Sequence, residues 1–278
     1  MKTLLSIWAC CALTVSTVIG QTATFSKSFP QNSEIEQLNV DLQYGKLHIT
    51  VGKTDQVKVE TFIDINDGEL NNAYDFTAEK KGNTIVLKGE LDMSIFKNKT
   101  MNNSNKWGTW RTNSSKKEDD REVIISGQKY TYEKSPGTQY SDVNIDIVVA
   151  VYIPENLIMD ITTLYGSSMI ENLTTDAKIH ATYGSVDITC NNEMKANLID
   201  VESTYSTIDI AVPANLKADF KLKSGYGKIY TDLDINPEFK QKKKECWFGD
   251  DITATLNGGG IDIAIESGYS NLYLRKLD

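Results

Sequence analysis

Between residues 159 and 274 the chain alternates apolar and polar positions in short runs, and the runs keep meeting the same phrase: TLYGSSMI (163–170), ATYGSVDITC (181–190), STYSTIDI (203–210), SGYGKIYT (224–231) and SGYSNLYL (267–274). Six and four residues before each tyrosine stand Met159/Ile161, Ala177/Ile179, Ile199/Val201, Phe220/Leu222 and Ile263/Ile265. Polar residues mostly separate them, which is the period of a strand with one buried face. Two before the tyrosine sit the small residues Thr163, Ala181, Ser203, Ser224 and Ser267. Three and five after it stand Val186/Ile188, Ile208/Ile210 and Leu272/Leu274, with Ser168/Ile170 and Ile229/Thr231 as weaker copies. Inward positions are therefore even before the tyrosine and odd after it. Strict alternation cannot change parity without a break, because a one-residue shift flips every side chain. The tyrosine–glycine pair marks that break, and glycine tolerates the backbone angles of a corner or bulge.

The tyrosines fall at 165, 183, 205, 226 and 269. A period near twenty, with the last gap counted as two, predicts stacked supersecondary units. A second corner follows half a rung later at NNEMKAN (191–197) and VPANLKA (212–218), and IPENL (153–157) has the same shape. The expected fold is all-β: a β-solenoid, or β-helix-like stack, of two-armed rungs of about twenty residues. Rungs stacked in sequence order place Asp160, Lys178, Asp200 and Lys221 in one outward row. Thr162, His180, Glu202 and Lys223 form another, and the alternating charge favours in-register stacking. LNVDLQYGKLHITV (38–51) has the same grammar around Tyr44-Gly45, and FTAEKKGNTIVLKG (76–89) reads as a hairpin turning at KKGN. EVIISG, KYTYEK and VNIDIVVAVYIP are further strand signals, and no strongly periodic helix is expected after residue 20.

The remaining segments set the organisation. Residues 1–20 have a short basic start and an apolar run from Leu4 to Ile19, with Val18 and Gly20 small enough for signal-peptidase cleavage before Gln21. Cys10 and Cys11 would suit a lipoprotein, but too few apolar residues precede Cys10. No later run approaches the roughly 20 residues of a membrane span. Residues 21–278 are expected to form one domain, interrupted by polar insertions at about 97–121 and 236–251. The chain carries net charge −9, and without Lys2 its 28 basic residues face 38 acids, giving −10. Its only arginines are Arg111, Arg121 and Arg275. An acidic, arginine-poor chain is a poor partner for nucleic acid or anionic membranes.

The phrases VYIPENLIMDITTLYGSSMIENL, KIHATYGSVDITC and IAVPANLKADFKLKSGYGKIYTDL resemble the putative-adhesin β-strand-repeat family of bacterial envelope proteins, over roughly 38–278. The resemblance implies a β-solenoid-like domain outside the cytoplasm, in the periplasm, on the outer surface or secreted. It carries no catalytic residues over to this chain.

Candidate chemistry is sparse. His48 and His180 both fall on outward strand positions and are expected to be isolated and exposed. Cys190 has inward parity and reads as a buried free thiol, with a bridge to Cys246 as the alternative in an exported protein. Asp187 and Asp209 share position +4 in adjacent rungs, and Asp262 sits in GGGIDI. These three are the weak candidates for a metal site or an acid pair, against plain screened surface charge. The repeated tyrosines form a corner ladder that is structural or, as an exposed aromatic strip, sugar-binding. Trp107 and Trp110, with Tyr230 and Tyr273, are the candidate partner or glycan contacts. The expected function is a non-enzymatic envelope or cell-surface binding module, adhesin-like and without cofactor. It would contact an envelope or surface protein or a glycan through a solenoid face or end, and a second copy could pair at that end. The alternative is a carbohydrate-active β-helix lyase or hydrolase using the outward aspartates.

Overall fold

The structure is a computed structural model that describes residues 23–30, 34–96, 110–111, 121–125, 128–132, 144–239 and 249–277. The chain first forms β1 (Ala23–Pro30), β2 (Gln37–Tyr44), β3 (Lys46–Gly52), β4 (Gln56–Ile65), β5 (Tyr74–Lys81) and β6 (Thr84–Leu91). Then come β7 (Trp110–Arg111), β8 (Arg121–Ile125), β9 (Gln128–Tyr132), β10 (Ile145–Pro154), β11 (Ile158–Tyr165), β12 (Ser168–Leu173), β13 (Ala177–Tyr183) and β14 (Ser185–Cys190). The last are β15 (Leu198–Ser203), β16 (Thr207–Val212), β17 (Ala218–Ser224), β18 (Ile229–Thr231), β19 (Asn236–Phe239), β20 (Asp250–Leu256), β21 (Ile261–Ser267) and β22 (Leu272–Lys276). Helix is limited, among the described residues, to two 3-10 turns at Asn71–Ala73 and Met93–Phe96. No described helix is long and apolar enough to cross a membrane.

The fold is all-β, with two open mixed sheets and a small third one. The first sheet runs β1-β4-β10-β3-β12-β14-β16-β22-β18 and the second β19-β20-β17-β21-β15-β13-β11-β2-β6-β5. Strands on either side of each tyrosine corner belong to different sheets, so β13 and β14, or β15 and β16, are the two arms of one unit. The core lies between the arms, where Ile179, Val186, Val201, Ile208, Ile265 and Leu272 are all essentially inaccessible. The parity change at the tyrosine is thus what turns both apolar faces toward one interior.

Two devices serve four of the six corners, those at Tyr44, Tyr183, Tyr205 and Tyr269. Gly45 and Gly184 sit at φ 118° and 129°, where only glycine is comfortable. Where serine follows the tyrosine, a hydroxyl does the work: Ser203 Oγ accepts from Ser206 N at 2.7 Å and donates to Ser206 O at 3.0 Å. Ser267 Oγ repeats this with Ser270 at 3.3 and 2.9 Å. The small residue two before the tyrosine therefore has a second role in the STYS and SGYS units.

The stacking order departs from the sequence order. β21–β22 lies between β15–β16 and β17–β18, so the unit written last is not the last in the stack. The weakness of Ile229/Thr231 explains the choice. Ile229 is half-buried and Thr231 exposed, whereas Leu272 and Leu274 are fully buried. The unit with the complete apolar set takes the interior place. The expected charge rows are corrected accordingly: Asp200 faces Ala264 rather than Lys221, and Glu202 faces Glu266, a like charge. Lys223 lies beyond, 3.1 Å from Glu266. β22 is likewise not an open end, because β16 and β18 flank it. β2 and β3 lie toward the opposite side of the stack, next to β11 and β12.

The antiparallel additions sit at the margins. β5–β6 is the expected hairpin, with Lys81 opposite Thr84 and Gly82 at φ 62°. β4 and β1 extend the first sheet beyond β10. The polar segment 236–251 is not wholly a loop, since it begins with β19 and ends in β20, which pair with each other. Within 97–121, Trp110–Arg111 is a strand paired with β9. The expected leader at 1–20 lies outside the described residues.

Candidate functional site: two tyrosine columns and an acidic face

The corner tyrosines form one column. Ring centroids are 4.8 Å apart for Tyr44–Tyr165, 5.1 Å for Tyr165–Tyr183, 4.8 Å for Tyr183–Tyr205, and 4.9 Å for both Tyr205–Tyr269 and Tyr269–Tyr226. The spacing is that of neighbouring strands, about 4.8 Å, so in-register pairing by itself dictates the column. Exposure grows along it: Tyr44, Tyr165 and Tyr183 are half-buried, while Tyr205, Tyr269 and Tyr226 are 47%, 55% and 61% exposed. A ring inside the column has both faces covered, which is a structural role. Tyr183→Ala removes two stacking contacts and is expected to cost about 1–3 kcal/mol in urea unfolding, whereas Tyr183→Phe should be nearly neutral.

A second row runs along the outer face of the first sheet, four residues after each corner tyrosine. In stack order it reads His48, Met169, Asp187, Asp209, Tyr273 and Tyr230. Tyr230 and Tyr273 are stacked at 5.1 Å and 13°. Asp187 and Asp209 are direct register partners. Ser185 Oγ donates to Asp187 at 2.8 Å, and Arg275 Nε lies 2.7 Å from Asp209 Oδ1. Asp187 has its pKa raised, first by burial and then by the Asp209 charge, with the Ser185 bond and Arg275 pulling the other way. An acid whose pKa rises on folding carries a penalty once ionised, and protonation removes that penalty as the pH falls. Asp187→Asn is therefore expected to raise stability at pH 7 by up to about 1 kcal/mol. It should also flatten the wild-type gain on mild acidification, as read by melting temperature against pH.

The sequence candidates separate in space. Asp262 is on the second sheet, level with Leu198 and Asp219, and lines an open groove of about 550 Å³ at the second corner with Asn192, Asn197 and Lys217. It does not join Asp187 and Asp209. No group of three or more metal-capable side chains occurs among the described residues. Cys190 is a buried free thiol, as its parity predicts, and burial pushes its pKa up to about 12. Trp107 and Cys246 lie outside the described residues, and Trp110 is placed by its backbone alone.

His48 overturns its expectation. It is 4% exposed, with Nε2 3.0 Å from Glu171 Oε2. The His48 ring is the chief cause that holds the Glu171 carboxyl below its ordinary range. Lys46, Asp64 and Asp146 are also buried on this outer face, and desolvation lowers the Lys46 pKa against the pull of Asp146. The strand pattern could not show this, because outward parity equals exposure only where nothing covers the sheet. The one signal was the unbroken apolar run in VNIDIVVAVYIP, which marks a strand buried on both faces. His180 is exposed as expected, 3.3 Å from Glu202.

No protein-family model matches the chain, and no curated protein matches it. Among solved structures, one called a putative cell adhesion protein, from Clostridium sporogenes, superposes with a TM-score of 0.57 at 14% identity, covering 92% of this chain and all of its own. At that identity the likeness establishes the fold alone. Another, called a putative adhesin, from Bacteroides fragilis, aligns over 91% of this chain and 97% of its own at 9% identity, and its TM-score of 0.27 carries no argument.

Proposed function

We propose that this chain is an exported, non-enzymatic, adhesin-like binding module: a β-solenoid whose ladders of side chains contact a protein or glycan in the cell envelope or at the cell surface. One observation carries the reading. The surface chemistry is distributed in rows that repeat from strand to strand, instead of converging on a reacting centre. Rows suit extended, multi-point contact, and a catalytic acid pair needs two carboxyls facing one bond. The candidates for such a pair sit on different sheets, or, as Asp209 does, are engaged by Arg275. The solenoid description is supported by the way each unit crosses from one sheet to the other and returns. The expected leader at 1–20 supports export, and a similarly folded protein called a putative cell adhesion protein supports a surface role.

The test is fractionation of cells producing the full chain, with N-terminal sequencing of the product and incubation of the purified protein with polysaccharides. The mature chain is expected outside the cytoplasm, beginning at Gln21, and releases no reducing ends. Retention in the cytoplasm with residues 1–20 intact would refute export, and polymer cleavage abolished by Asp209→Asn would refute the non-enzymatic role.

A further inference from the structure

We propose that Lys46 and Asp146 condense to an intramolecular amide that fastens β3 to β10, with Asp64 carrying the protons. The bond lies on the outer face of the first sheet, and it is independent of the binding reading.

Three adjacent strands bring the groups together. β10 lies between β3 and β4, parallel to the first and antiparallel to the second. Asp146 is the register partner of Asp64, and Val148, two residues on, is the register partner of Lys46. Leu47, Ile147 and Ile63 point into the core, so Lys46, Asp146 and Asp64 share the opposite face. Lys46 and Asp146 are therefore diagonal neighbours, a spacing of about 7–8 Å that a long side chain spans. The first tyrosine corner holds them there. A Cβ on Gly45 would stand 2.8 Å from Ile147 Cγ2, so the backbone before Lys46 lies directly against the residue after Asp146.

Burial supplies the chemistry. Lys46, Asp146 and Asp64 are 5%, 7% and 3% exposed, and the buried Val148 lies beside them. In water an ammonium and a carboxylate do not condense, because hydration holds both in their charged forms. Away from water that support is lost, and a neutral amine facing a neutral acid becomes accessible. The Lys46 pKa moves in this direction: desolvation lowers it, more strongly than the Asp146 charge raises it. An ion pair buried here adds little stability, because desolvating two charges offsets their attraction. An amide in its place removes both charges.

The step balances without any other reactant. One proton passes from the Lys46 ammonium to the Asp146 carboxylate. The lone pair of Lys46 Nζ then attacks Asp146 Cγ and forms the C–N bond. Asp64 takes a proton from that nitrogen and gives it to the departing oxygen. The C–O bond breaks, and one water leaves; nothing is oxidised or reduced. The product closes a loop of about 100 residues, which restricts the unfolded chain. It also ties the N-terminal strands to the repeated units, a lock suited to a chain that is pulled on by what it holds.

The test is intact-mass spectrometry of the purified chain, its first residue fixed by N-terminal sequencing, followed by tryptic mapping. The wild type is expected to be lighter than its sequence by one water. Trypsin should not cut after Lys46, and one branched peptide should join Lys46 to Asp146. Lys46→Arg keeps the charge but cannot form this bond, so it should have full mass and a lower melting temperature. Asp64→Asn should lower the bonded fraction about tenfold or more, since a positioned proton carrier contributes a factor of about 100 or more. The wild-type mass and digest decide the matter even where a variant does not fold. A wild-type chain of full mass, cut normally after Lys46, would leave only a buried ion pair and overturn the bond. A branch through Asp64 or any other acid would overturn the choice of Asp146, and complete bonding in folded Asp64→Asn would overturn the proton carrier.

Discussion

Val201→Asp is expected to abolish cooperative folding. Val201 has no accessible surface, faces Ile179 on one neighbouring strand and Ile265 on the other, and lies in the midst of the apolar core. A carboxylate there finds no partner, and an unpaired buried charge costs several kcal/mol even after it neutralises. Domains of this size are stable by only about 5–15 kcal/mol. The damage also spreads, because each unit supplies the pairing surface for the next. Circular dichroism should show the β signal lost and no melting transition. A folded variant with wild-type melting would mean that the inward register is wrong. The exposed neighbour Glu202, on the opposite parity, should accept alanine with a change of about 0.5 kcal/mol or less.

Gly184→Val is expected to be nearly as severe, for a backbone reason. At φ 129° a β-branched residue is strained, and a Cβ at this corner would collide with the carbonyl of Gly166 in the adjacent unit. Backbone cannot move aside without breaking the pairing of both units, so a loss of more than about 3 kcal/mol is anticipated in urea unfolding. Gly82→Ala supplies the contrast. Gly82 also has positive φ, at 62°, but its hairpin turn leaves open space around the added methyl. Its cost should be only the left-handed penalty, about 1–2 kcal/mol. Equal losses at the two positions would show that angle alone matters and that close stacking of the corners does not.

The two substitutions mark what was legible in the sequence. The inward set of every unit except the Ile229–Thr231 arm could be read, because burial between two sheets demands period two and a corner demands a parity change at a fixed phrase. The corner tyrosine column followed from the same phrase, since in-register pairing places equal positions about 4.8 Å apart. The buried Cys190 and the hairpin at 76–89 were legible for the same local reason. Local pattern says which face of a strand is apolar and where the chain turns.

Tertiary structure decided which strand lies beside which. Nothing in SGYG or SGYS states that the unit at 267 should slip between those at 203 and 224. That order reflects a competition for interior places, won by Leu272 and Leu274 over Ile229 and Thr231, and competition between distant segments leaves no local trace. It placed Glu202 against Glu266, and it left Tyr230 rather than Tyr273 on the outermost strand. The burial of His48, Lys46 and Asp146 was equally undetermined, because a pattern of alternation records which way a side chain points and not what covers it. The sequence by itself determined the rung and its corner; the order of the rungs, and with it the surface offered to a ligand, was settled only by long-range packing.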